Sequence, residues 1–162
     1  MKFPRAIRLD SSDLNVFERA AEPGEWAVPG TFAFLERDPA SFGNKEKLAF
    51  QSGWLGTGSF GWASLVEIAE IDDAALEDVV GRLAQHFVEH HGAPTLADAM
   101  PAARQEVDYA ASLCSHKNFT LLSLAREYSD EGIVERFRVI QPDRARDHAR
   151  IWEIVTDENE AI

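Results

Sequence analysis

A single cysteine, Cys114, stands among 162 residues. No internal disulfide can form and no cysteine-rich zinc site can be built, as in proteins of a reducing compartment. Nowhere do apolar residues run for the roughly 18 positions that a membrane-spanning helix needs. The opening MKFPRAIRLD has no apolar core of the kind a secretory signal carries, so a cytoplasmic protein is expected. Basic residues are scarce: 16 Lys and Arg face 28 Asp and Glu, for a formal net charge of -12. That field repels nucleic acid and anionic membrane surfaces, and neither is expected as a partner. Catalytic signatures are missing as well. The chain holds no GxSxG, no Walker A sequence and no DxD-type nucleotide motif, so no nucleophile is named and no cofactor is firmly implied.

What is present is enough for one folded core. Hydrophobic residues make up 45% of the chain and charged ones 27%, a balance that buries a core and is not that of a disordered segment. The acidity is uneven. Residues 1–50, 51–100 and 101–162 carry net charges of -1, -7 and -4. Asp72, Asp73, Glu77 and Asp78 lie where a helix begins, where acids favour the helix dipole, and helix initiation outranks a cation site as their reading.

Residues 3–9 read as a first strand, with Asp10, Ser11 and Ser12 as turn and helix cap before a short helix through Leu14, Val16, Phe17 and Ala20. The two prolines and two glycines between Glu22 and Gly30 mark a loop. TFAFLE at 31–36 reads as an apolar strand, 37–61 as a polar, glycine-punctuated stretch, and WASLVEIAEI at 62–71 as another strand. The clearest helix spans Asp73 to His91, where Leu76, Val79, Val80, Leu83 and Phe87 recur at helical spacing before Gly92 and Pro94. A second helix starts near Thr95 or Pro101, with Ala103, Val107, Ala110 and Cys114 as a close-packing stripe. FTLLSLARE at 119–127 and GIVERFRVI at 132–140 form a hairpin around YSDEG, and IWEIVTD at 151–157 is a last strand. This order predicts an α+β fold: one domain over 1–157, a largely antiparallel sheet with two longer helices packed on one face, and an acidic frayed tail at 158–162.

Three sets of residues are candidates for function. GTGSFG, Gly56 to Gly61, satisfies the GxGxxG pattern of dinucleotide-binding turns, but a strand follows it instead of the helix whose amides would hold a pyrophosphate. A glycine turn is the first reading, and an anion or substrate loop using Gly56, Gly58 and Gly61 with Trp54 and Trp62 the second. His86 and His90 are four apart on the long helix, the spacing at which two imidazoles reach one metal. Relative to Leu76 they lie at about -80° and -40°, so His90 is expected inside the apolar arc and His86 at its rim. Capping of the last helical turn outranks metal binding. Cys114 and His116 are further ligand candidates, although a buried, inert thiol is the commoner fate of such a cysteine. In the hairpin, Arg136 and Arg138 share a strand face, and a five-residue turn places Arg126 opposite Arg136. Three guanidinium groups there would hold a phosphate or carboxylate ligand, against the plainer reading of a solvent face balanced by acids. Arg144, Arg146 and Arg150 are interleaved with Asp143 and Asp147, a pattern of local pairing.

TFAFLERDP, LAFQSGWLGTGSFGW and TLLSLAREYSDEGIVERFRVI together resemble a family of short, mainly alphaproteobacterial proteins of unknown function. The resemblance spans nearly the whole chain and implies a compact standalone domain. It transfers no catalytic residue to any position. Residues 53–62 are its most distinctive part.

The leading expectation is a non-catalytic interaction or accessory domain, a homodimer or an acidic partner of another protein. The alternatives are a metal- or cofactor-handling protein using His86, His90, Cys114 and His116, and a binder or enzyme for an anionic small molecule using the 53–62 loop and the hairpin arginines.

Overall fold

The computed structural model describes residues 1–142 and 152–156. Strand β1 (Lys2–Ile7) is followed by the short helix α1 (Ser12–Val16), β2 (Ala27–Val28) and two 3-10 turns at Thr31–Phe34 and Pro39–Ser41. Next come α2 (Asn44–Ser52), β3 (Trp54–Gly56), β4 (Trp62–Ala63) and β5 (Leu65–Glu70). The chain continues through α3 (Asp73–His90), α4 (Leu96–Ser112), β6 (Leu121–Ser129), β7 (Gly132–Pro142) and β8 (Trp152–Thr156). Among the described residues, four α-helices and two antiparallel sheets give the expected α+β class. The larger sheet has the order β1-β5-β6-β7-β8, and β2-β3-β4 form the smaller one. Pro4 lies in β1, an edge strand, where its missing N–H costs no ladder bond.

Both long helices stand where periodicity puts them. Asp72 caps α3 by accepting from the Ala75 amide at 2.7 Å, and Gly92 ends it with a φ of 76°. Thr95 caps α4 and exchanges hydrogen bonds with Asp98. Val79, Val80, Leu83, Ala84 and Phe87 of α3 meet Ala99, Ala103, Val107 and Ala110 of α4 over Phe3, Val28 and Leu55. Alanines in the α4 stripe let the two helices approach closely. Each core methylene so removed from water is worth roughly 0.8 kcal/mol.

Three local expectations are corrected. Residues 31–34 form a 3-10 turn and not a strand. Gly30 enters it with a φ of 77°, and the segment's two phenylalanines then serve different cores. Phe32 meets Phe87 at a ring distance of 4.8 Å, and Phe34 meets Phe50 at 5.2 Å. The polar stretch 37–61 contains α2, whose Ala49 and Phe50 are buried against Phe17, Phe34 and Phe42. The strand expected at 62–71 is broken at Ser64, whose amide and hydroxyl both bind the buried Asp13 carboxylate.

In the hairpin the strands are as expected but the register is not. Ser129 pairs with Gly132, so the turn has two central residues, and Arg126 faces Glu135 while Arg136 faces Ala125. A one-residue slip moves a side chain to the opposite face of the sheet. Arg136 and Arg138 are therefore exposed, and Arg126 points inward with Leu122, Leu124, Phe137 and Val139. The three arginines do not share a face. Residues 143–150 and the tail 158–162 lie outside the described residues, and with them Arg144, Arg146, Arg150, Asp143 and Asp147. No helix among the described residues is long and apolar enough to cross a membrane.

Candidate binding site

The glycine loop holds an anion of its own. Glu25 Oε1 accepts from the amides of Gly58 and Ser59, each at 2.9 Å, and Oε2 accepts from the Ser59 hydroxyl at 2.7 Å and the Glu22 amide at 2.6 Å. A Cβ at Gly56 would overlap the Glu25 carboxylate, which explains the glycine there. The donors that would cradle a phosphate are thus taken by a side chain 33 residues away. The expected ligand platform of aromatic rings is absent too. Trp54 is fully buried against Phe137 at 5.7 Å, its indole N–H without a partner among the described residues, and Trp62 is half-buried against Phe34 at 5.2 Å.

The histidines are arranged differently from their helical angles. His90 is 61% exposed, and the half-buried His86 lies flat on Phe60, with ring centroids 4.0 Å apart and planes 2° from parallel. The apolar stripe of α3 ends at Phe87, so His90 projects past the core. Burial, with His91 and His90 nearby, brings the His86 pKa down to about 4. Cys114 and His116 follow the far end of α4. Because α3 and α4 run antiparallel, the length of α4, about 25 Å, separates them from His86 and His90. Among the described residues no group of three or more His, Cys, Asp or Glu is placed to hold a metal ion. Cys114 is 4% exposed, its sulfur 3.6 Å from the Ala110 carbonyl, and burial pushes its thiol pKa up to about 12.

A site that sequence reasoning did not anticipate lies where the 31–35 segment crosses α4. Arg126 is its foundation. Its Nε donates to Thr31 Oγ1 at 2.8 Å and Glu135 Oε1 at 3.1 Å, Nη1 to the carbonyls of Ala49 and Phe50 at 3.3 and 3.0 Å, and Nη2 to the Pro29 carbonyl. All three nitrogens are engaged with protein acceptors, and the side chain is fully buried. The guanidinium carbon also lies 5.5 Å from the centre of the Phe34 ring. On the other side of Glu135, Tyr109 donates its hydroxyl to Oε2 at 3.3 Å. Burial, followed by the charge of Glu135, holds the Tyr109 phenol well above its ordinary pKa, so it stays protonated.

Above this floor are two adjoining cavities. One, of about 210 Å³, is lined by Pro29, Thr31, Ile133 and the Tyr109–Glu135 pair, and the other, of about 410 Å³, by the end of α3 and the start of α4. Phe32, Leu35 and Glu106 line both. Glu106, one helical turn before Tyr109, makes no hydrogen bond or ion pair among the described residues. Burial first, and then the negative charge of Glu135, raise its pKa to about 7, against a smaller opposing pull from Arg126.

A third cavity, about 340 Å³, lies between Arg19, Phe60, Arg82, His86 and His90. Each of its arginines makes one protein contact, Arg19 Nη1 with the Ser59 carbonyl and Arg82 Nε with Asp78.

The sequence does carry one trace of the first site. Leu122, Leu124 and Arg126 alternate inward on β6, and Ile133, Glu135 and Phe137 on β7, so a cation and an anion interrupt two apolar rows. The contributions of Phe32, Leu35, Glu106 and Tyr109 come from segments far apart in the chain and leave no local pattern.

The chain is a member of a family of unknown function (DUF6505), whose model matches residues 1–155. No curated protein and no solved structure matches it.

Proposed function

We propose that the chain is a non-catalytic binding domain whose ligand is a small molecule seated in the paired cavities between residues 31–35, the end of α3, and α4. Glu106 carries this reading. Polar groups withdrawn from water are usually paired, yet this carboxylate is half-buried, faces two cavities that Phe32 and Leu35 also line, and makes no hydrogen bond or ion pair among the described residues. The pairing of an apolar cleft with a few converging polar groups is the usual form of a small-molecule site. A binding role is favoured over a catalytic one because the lining residues include no nucleophile beside a base, and the one thiol is sealed and held protonated. An anionic ligand, the alternative drawn from the glycine loop and the arginines, is disfavoured: Glu25 fills the loop and the buried Arg126 is turned to protein acceptors.

The test is a fragment screen read by amide chemical shifts in two-dimensional NMR. Saturable shifts clustered on Phe32, Leu35, Phe87, Glu106 and Tyr109 support the proposal. Clustering around Arg19 and Arg82, or on no face at all, overturns it.

A further inference from the structure

We infer that the ligand of the paired cavities is a small organic cation, an alkyl- or arylammonium whose apolar body lies on Phe32, Leu35 and Phe87 and whose charge is met by Glu106 and Glu135. This inference rests on the reading of the cavities as a binding site and names the chemistry that site selects.

The charge of the lining gives the sign. Glu36, Asp98, Glu106 and Glu135 line the two cavities, and no lysine or arginine does. His91, the one basic side chain in the lining, has its pKa lowered by burial and by His90, so it adds no positive charge near neutral pH. Arg126 lies behind Glu135 with every nitrogen turned to protein acceptors, and its charge is committed to that carboxylate. Of the carboxylates, Asp98 is engaged with Thr95 at the start of α4, which leaves Glu106 as the one that faces both cavities unpaired.

Three ligand types can be compared on this lining. An anion would add a like charge beside Glu106, which no cation among the lining residues offsets. A neutral apolar molecule would strip the remaining water from Glu106 and supply no partner, leaving a desolvated carboxylate unpaired. An ammonium satisfies that carboxylate, and its N–H groups match the acceptors present: the Glu106 oxygens, Glu135 and the Tyr109 oxygen. The Phe32 and Tyr109 rings in the smaller cavity add the face-on attraction that aromatic groups offer cations.

The experiment titrates an isosteric set, benzylamine, benzyl alcohol and benzoate, into the full chain at about pH 8, where Glu106 is ionised. Binding is followed by the amide shifts of Phe32, Leu35 and Glu106. The expected result is binding of benzylamine about tenfold or more tighter than benzyl alcohol, the scale of one charge-assisted contact, with benzoate weakest. In Glu106→Gln the amine should fall toward the alcohol while the alcohol is unchanged. If alcohol or benzoate binds these residues as tightly as the amine, the cavity is a site but the cation inference is wrong. If none of the three shifts them, the cavity is not a binding site and both readings fall.

Discussion

Arg126 and Glu135 face each other across β6 and β7, Nε to Oε1 at 3.1 Å, with side chains that are 0% and 5% exposed. Because the same guanidinium also ties down the carbonyls of Pro29, Ala49 and Phe50, the pair joins the hairpin to the 3-10 segment and to α2. It supports the cavity floor without offering a donor to it.

Replacing Arg126 by Met should therefore act on stability. It strands a buried carboxylate and frees three buried carbonyls, a loss of about 3 to 5 kcal/mol. A urea midpoint reads it directly. Adding Glu135→Gln to the same protein should restore part of the loss, since the uncompensated charge is gone. A loss below about 1 kcal/mol for Arg126→Met would mean that the network contributes little.

The contact of Gly56 with Glu25 is tested by a double-mutant cycle. Gly56→Ala should destabilise the chain, because its Cβ meets the carboxylate that holds the Gly58 and Ser59 amides. In a Glu25→Ala background the same substitution should cost less, with a coupling of about 1 kcal/mol or more. Strict additivity would show that Glu25 does not occupy the loop in solution.

Two groups should set opposing pH dependences. The folded-state pKa of Glu106 is raised from 4.5 to about 7, so the folded protein keeps a proton that the unfolded chain has lost. Its contribution is fully present below about pH 4.5 and is lost as pH rises through 7. The groups facing it are Glu135, Arg126 and Tyr109, with His91, Glu36 and Asp98 around the larger cavity. Glu106→Gln should gain about 1 to 2 kcal/mol over the parent at about pH 8, after discounting for partial exposure, and nothing at about pH 4. The pKa of His86 is lowered from 6.5 to about 4, so its contribution is present above about 6.5 and is lost as pH falls toward 4. Denaturation curves of His86→Gln should flatten the acid side alone. A shared pH profile for the two variants would contradict both assignments.

Cys114 should resist thiol reagents in the native chain. Its thiol is buried and has a pKa near 12, so labelling at neutral pH should proceed at the rate of unfolding and become fast in denaturant. Rapid labelling of the folded protein would contradict a sealed thiol at the end of α4.

Legibility in the sequence followed the range of the interactions. Local signals placed α3 at Asp73 to His91, the start of α4 near Thr95 or Pro101, and both hairpin strands, because stop signals and periodic stripes lie within a few residues of what they control. The hairpin register failed by one residue, since YSDEG is compatible with a longer turn than the one formed. TFAF alternates like a strand, yet its phenylalanines are shared between two cores that the chain assembles from distant parts. The role of Glu25 was invisible for the same reason: a carboxylate that fills a loop more than 30 residues away leaves no spacing to read. The cavity joins residues 31–35, 106–109 and 133–135, and only the inward Arg126 and Glu135 hint at it.

The most direct measurement compares benzylamine binding to the parent chain and to Ala102→Trp by amide shifts. Ala102 is exposed at the wall of the larger cavity, so an indole there fills the space without entering the core. Saturable shifts at Phe32, Leu35, Glu106 and Tyr109 are expected in the parent, with affinity weakened about tenfold or more in a variant of unchanged melting temperature. Shifts that lie elsewhere, or that persist at equal affinity once the cavity is filled, would contradict a ligand site between the 31–35 segment and α4.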